Sequence, residues 1–92
     1  MWNFPRILAH RGGGTLAPEN TLAALRCGHE RGFRAVEFDV MGLSDGSLVL
    51  MHDEERGRTV AGSGSVAECT LAQLAASDAG SWFSADFAGE PV

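Results

Sequence analysis

Apolar positions gather in three short runs in the first half of the chain, at 7–14, 36–40 and 48–53, and each run ends in or contains polar residues. Runs of this length and branching predict strands buried in a sheet. A helix is predicted between the first two, opened by Pro18, Glu19, Asn20 and Thr21 and stopped at Gly32, with Leu22, Leu25 and His29 recurring on one side. Ser44, Asp45, Gly46 and Ser47 separate the second and third runs. Asp-Gly is the preferred centre of a two-residue type I′ hairpin, and the connection is too short for a parallel crossover, which needs about a dozen residues. With Asp45 and Gly46 in the loop, Leu43 faces Leu48, Met41 faces Leu50 and Asp39 faces His52. Further on, Thr70 and Gln73 match a capping box, with Leu71 and Leu74 as the inward face of a short helix. No repeat or long linker marks a second domain, so residues 1–92 read as one domain.

The charged residues inside the predicted strands stand out, because an unpaired carboxylate in a buried strand costs roughly several kcal/mol unless a metal or cation compensates it. Glu37 and Asp39 are two apart and so share one face of a strand, with Val36, Phe38 and Val40 on the other. Two ionised carboxylates side by side call for a cation, and hard oxygen ligands favour Mg²⁺, Ca²⁺ or Mn²⁺ over zinc. From this motif alone, an exposed Glu-x-Asp on an edge strand fits equally well. His10 and Arg11 close the first run and lead into Gly12, Gly13 and Gly14, which allow close approach by a ligand. Arg11 offers planar, permanently charged donors suited to phosphate oxygens. Neither a P-loop nor a Rossmann glycine pattern is present. His10, Arg11, Glu37, Asp39 and His52 together are the equipment for cutting a phosphodiester beside a divalent metal.

In order and approximate spacing, His10-Arg11-Gly12, Pro18-Glu19-Asn20-Thr21, Glu37-Phe38-Asp39, Asp45-Gly46, His52-Asp53 and Arg58-Thr59 resemble the glycerophosphodiester phosphodiesterases, and residues 78–83 resemble their bacterial branch. The resemblance implies a metal-dependent hydrolase that converts glycerophosphodiesters to glycerol 3-phosphate and an alcohol, in phospholipid and glycerol metabolism. It implies acid and base catalysis by His10 and His52, in exchangeable roles, and metal binding by Glu37 and Asp39. The family's further metal-binding glutamate lies on a later strand, and nothing in residues 1–92 replaces it; Asp53, Glu54, Glu55 and Arg56 read as a solvated loop. Gly42 departs from the usual pattern after the second carboxylate. The family fold is a TIM-type (β/α)8 barrel of about 250 residues, so this chain supplies only its N-terminal part, a β-α-β-hairpin plus a short helix. We therefore expect a fragment or truncated product, inactive by itself. Two alternatives stay open: a related barrel enzyme acting on lysophospholipids or sphingomyelin, and a fragment that only binds metal or self-associates.

A formal net charge of −5 argues against a general nucleic-acid surface, and no run approaches the roughly 20 apolar residues of a membrane span. The start, at residues 1–6, lacks the order of a signal peptide, which predicts a cytoplasmic protein. The partner implied is a small-molecule glycerophosphodiester, with neither nucleic acid nor membrane; the oligomeric state is left open. Cys27 and Cys69 are far apart and read as reduced packing residues. Trp82, Phe83 and Phe87 read as core-filling aromatics, with pocket lining as the alternative.

Overall fold

The first two predicted strands meet in parallel, but by a single bridge. In the computed structural model, which describes residues 4–92, Ala9 pairs with Val36: the Ala9 N–H donates to Ala35 O at 3.0 Å and the Glu37 N–H donates to Ala9 O at 2.9 Å. The crossover between them carries helix α1, Leu22–Glu30. A hairpin of β1, Val40–Gly42, and β2, Leu48–Leu50, follows, and then α2, Leu71–Ala75. Three short 3-10 turns, His10–Gly12, Val66–Glu68 and Ala85–Phe87, complete the order of elements.

Local chemistry sets the limits of both helices. The Thr21 side chain accepts the Ala24 N–H at 3.1 Å and so caps α1. At the other end Gly32, at φ 88°, closes a Schellman motif: its N–H donates to His29 O at 3.0 Å and the Phe33 N–H donates to Gly28 O at 3.1 Å. The predicted capping box of α2 is present, with the Gln73 N–H on Thr70 Oγ1 at 3.3 Å and the Thr70 N–H on Gln73 Oε1 at 2.8 Å. Leu74 is fully buried, whereas Leu71 is exposed. Leu71 instead lends its N–H to the Asp45 carboxylate at 3.0 Å.

The hairpin register differs from the predicted one by a residue. Val40 pairs with Leu50, Met41 with Val49 and Gly42 with Leu48. The Leu43 N–H donates to Ser47 O at 2.8 Å, so the loop holds three residues, and only Gly46 among them takes positive φ, at 82°. A type I′ turn would require Asp45 in that region as well. Other bonds hold Asp45 and Ser44 elsewhere. Asp45 accepts the N–H groups of Ser47 and Leu71, each at 3.0 Å, and Ser44 donates its N–H and hydroxyl to Cys69 O at 3.0 and 2.8 Å. Those backbone donors hold the Asp45 carboxyl below its ordinary range. The register carries Asp39 to Met51, whose N–H donates to Asp39 O at 2.9 Å, and not to His52.

One core lies beneath the hairpin, built from Leu43, Val49, Met51, Val60, Val66 and Leu74 with Cys69 and Ala79. Cys27 and Cys69 are both free. Helix α1 packs elsewhere, against the His10–Gly12 turn, through Ala24 and Gly28 and not through the Leu22 side. Along the second extended segment Glu37 and Asp39 are half-buried, while Val36, Phe38 and Val40 are 37, 47 and 56% exposed. The carboxylates thus share the better-covered face, as the period-two reading requires, and the apolar face is the open one.

Candidate active site

Backbone strain starts the site. Arg11, at φ 51° and ψ 29°, occupies the left-handed region that non-glycine residues seldom adopt, and Asn20, at φ 57°, does so too. Both are held by bonds to the chain around them. The Arg11 N–H donates to Glu37 Oε1 at 3.0 Å, and Arg11 O accepts the Asn20 N–H at 2.9 Å. The Asn20 amide then brackets Asp39, with Nδ2 donating to Oδ2 at 3.0 Å and Oδ1 accepting the Asp39 N–H at 3.2 Å. Strain retained under this many constraints is typical of functional sites.

The turn brings four of the five predicted residues together. His10 Nε2 lies 3.8 Å from Glu37 Oε1, and Arg11 Nε lies 3.9 Å from Asp39 Oδ2. Arg11 Nη1 donates to both oxygens of Glu19, at 3.1 and 3.0 Å, while its Nε is buried without a hydrogen-bond partner among the described residues. His52 stands apart. Among the described residues it has no ion pair or hydrogen bond with Glu37 or Asp39; its Nδ1 lies 2.8 Å from Asp53 Oδ1.

Sequence reasoning missed Glu19, Asn20, Asp53 and Arg58. Arg58 donates to Glu19 at 2.7 and 2.8 Å and to Asp53 at 2.8 and 3.0 Å, so Asp53 belongs to an ion-pair network and not to a solvated loop; Glu54 and Glu55 are exposed as expected. A signal for Asn20 was available. Asn20 and Thr21 are adjacent cap formers where one suffices, and Thr21 takes the cap, which frees Asn20 for Asp39. Burial pushes the Glu19 carboxyl up, but the hydrogen bonds and charges of Arg58 and Arg11 outweigh it and leave the group below its ordinary value. Hydrogen bonds from Arg58, and then from His52, hold Asp53 far below the usual carboxylate range. The contribution of Asp53 to stability is therefore fully present above its unfolded-state value, about pH 4, and is lost as pH falls below it. Thermal midpoints of the wild type and Asp53→Asn should accordingly differ most at neutral pH, and the difference should begin to shrink only below about pH 4.

Trp82 and Phe83 line a cavity of about 390 Å³ with His10, Arg11 and Glu19, which favours the pocket reading of these aromatics over the core one. Trp82 lies over the Arg58 guanidinium at 5.5 Å, and Phe83 stacks edge-on against Trp82 and Phe87 at 5.7 and 5.5 Å. A second cavity, of about 330 Å³, lies at Arg6, Arg31 and Arg34 and contains none of these groups. Among the described residues no three His, Cys, Asp or Glu side chains form a metal-holding group. Glu37 and Asp39 nevertheless fit a hard cation as a pair, since each keeps one carboxylate oxygen outside the hydrogen bonds made by the described residues.

Solved structures and curated relatives resemble this chain over nearly its whole length. A solved structure of an Oleispira antarctica phosphodiesterase, in complex with the product sn-glycerol-3-phosphate, superposes with a TM-score of 0.91 at 42% identity and covers 95% of this chain and 35% of that one. The crystal structure of a glycerophosphodiester phosphodiesterase from Agrobacterium tumefaciens gives a TM-score of 0.86 at 40% identity, covering 90% of this chain and 36% of that one. The fold is thus that of the N-terminal part of a (β/α)8 barrel of this kind. The family model for the glycerophosphoryl diester phosphodiesterase family matches residues 10–92, and the chain belongs to that family. A glycerophosphodiester phosphodiesterase of Caldanaerobacter subterraneus subsp. tengcongensis is 43% identical over 86 residues, which are 94% of this chain and 35% of the relative. The chain therefore spans between a fifth and about a third of the length of the curated relatives it matches. Among the described residues no helix is long and apolar enough to cross a membrane.

Proposed function

We propose that this chain, within a full-length barrel, serves a metal-dependent hydrolysis of glycerophosphodiesters to glycerol 3-phosphate and an alcohol. The observation that carries the reading is the placement of Glu37 and Asp39 on the half-buried face beside His10 and Arg11, each with a carboxylate oxygen to spare. Glu37 and Asp39 would hold Mg²⁺, Ca²⁺ or Mn²⁺, which when bound supplies charge neutralisation at the phosphoryl oxygens. Arg11, which lines the cavity beside His10, would lend its positive charge to a phosphoryl oxygen bound there, while Nη1 stays on Glu19. His10, next to Glu37, takes the proton of the attacking oxygen. His52, whose Nδ1 faces Asp53, presents Nε2 for proton transfer to the leaving alcohol, and the two roles exchange if the substrate lies the other way. Positioning and electrostatics of this kind dominate phosphoryl transfer. A cytoplasmic role in recovering glycerol phosphate from deacylated phospholipids fits this chemistry.

The metal assignment is testable on the 92-residue chain itself. Mn²⁺ added in small amounts should broaden the backbone resonances around Glu37 and Asp39 first, and the double variant Glu37→Gln, Asp39→Asn should abolish that selectivity. Equal broadening in the variant would place the ion elsewhere.

A further inference from the structure

Arg58 reaches both halves of the site. Its Nη1 and Nη2 donate to Glu19 Oε1 and Oε2 at 2.7 and 2.8 Å, and its Nε and Nη2 donate to Asp53 Oδ2 and Oδ1 at 2.8 and 3.0 Å. Glu19 also takes Arg11 Nη1 on both oxygens, and Asp53 Oδ1 also meets His52 Nδ1 at 2.8 Å. A continuous chain of charge-assisted bonds therefore runs from Arg11 through Glu19, Arg58 and Asp53 to His52. The Arg58 guanidinium lies over the ring of Trp82, 5.5 Å from its centroid, and gains a cation–π contact there.

We propose that Arg58 is a positioning residue for the site, holding Arg11 through Glu19 and fixing the ring of His52 through Asp53. The planar fork of a guanidinium engages two carboxylates in a fixed relation, which an ammonium does not. The side chain of Glu19 is 9% exposed, and two arginines are what let an ionised carboxylate remain there, with Arg11 drawn to one side of it. On the other side, a neutral imidazole whose Nδ1 meets a carboxylate donates the Nδ1 proton and leaves Nε2 bare. That fixed form accepts a proton at Nε2, and the imidazolium it becomes, still bonded to Asp53 through Nδ1, is the form that gives the proton up. What the ring then does rests on the proposed hydrolysis, but the linkage belongs to the chain and is measured without it. A surface ion-pair network with no such role would change stability at most.

The test is ¹⁵N NMR of the 92-residue chain at neutral pH, reading the tautomer of the neutral His52 ring and the hydrogen exchange of the Arg11 guanidinium. In the wild type, the Nδ1–H form of His52 is expected. In Arg58→Met that form should give way to a mixture, and the Arg11 guanidinium protons should exchange about tenfold faster, the factor a charge-assisted bond of this class is worth. Asp53→Ala should change the His52 signal and spare Arg11. Glu19→Gln should do the reverse. Arg58→Lys, which keeps the charge and loses the fork, should resemble Arg58→Met and serves where the methionine variant does not fold. Methyl resonances of Val66 and Leu74 report an intact core. An Nε2–H tautomer of His52 in the wild type would overturn the proposal. So would unchanged His52 and Arg11 signals in a folded Arg58 variant, or both signals moving together in Asp53→Ala and in Glu19→Gln. Absence of phosphodiester hydrolysis would contradict the functional reading and leave these signals as they are.

Discussion

Replacing Gly28 with alanine should lower stability by about 3 kcal/mol, at the upper end of what overpacking costs. A Cβ on Gly28 would lie 2.3 Å from Gly12 O and 3.3 Å from Ala9 Cβ. The first of these is backbone, in a turn already fixed by the Arg11 bonds to Glu37 and Asn20, so the clash is not relieved by rotating a side chain. Either α1 or the His10–Gly12 turn must move. In a domain of this size each kcal/mol shifts the thermal midpoint by about 4–8 °C, so a drop on the order of 15 °C is expected by circular dichroism. Gly42→Ala is the control. Its Cβ would meet open space at a φ open to any residue, and the midpoint should stay within a few degrees. Equal midpoints for the two variants would refute the close packing of α1 on the turn.

The second large effect concerns chemistry. In a chimera that joins this chain to the remaining two thirds of the Caldanaerobacter relative, His10→Ala and His52→Ala should each reduce glycerophosphodiester hydrolysis by about a hundred- to ten-thousand-fold, the range of general acid and base catalysis. Stability should hardly change, because both rings are exposed and fill no core space. A steady-state rate and a melting curve for each variant separate the two effects. Normal turnover in either variant would remove that histidine from the mechanism.

Features decided within a few residues were legible in the sequence. The Gly32 stop of α1 and the Thr70 and Gln73 box of α2 depend on neighbours three to five residues away, and both were read correctly. The order of a first extended run, a helix and a hairpin was equally plain from the apolar runs, although the first run pairs through a single bridge and not as a full strand. The hairpin register was not, because its loop is set by Leu71 N–H on Asp45, 26 residues away, and by Cys69 O on Ser44, 25 residues away. The buried side of α1 escaped for another reason: contact with a backbone turn selects the small Ala24 and Gly28, and a search for large apolar residues finds Leu22 and Leu25 instead. Glu19 and Arg58 are 39 residues apart in the chain, so nothing local marks them as partners. His10, Arg11, Glu37 and Asp39 were found as a group because charged residues in apolar strands are costly wherever they occur.

As proposed, His10, Arg11, Glu37, Asp39 and His52 of this chain form half of a glycerophosphodiester phosphodiesterase site. The most direct test is the release of glycerol 3-phosphate from glycerophosphocholine by the same chimera, with Mg²⁺ or Ca²⁺ and then with a chelator. Release that the chelator stops and excess metal restores is expected. No release by a folded chimera, under conditions where the intact relative is active, would contradict it.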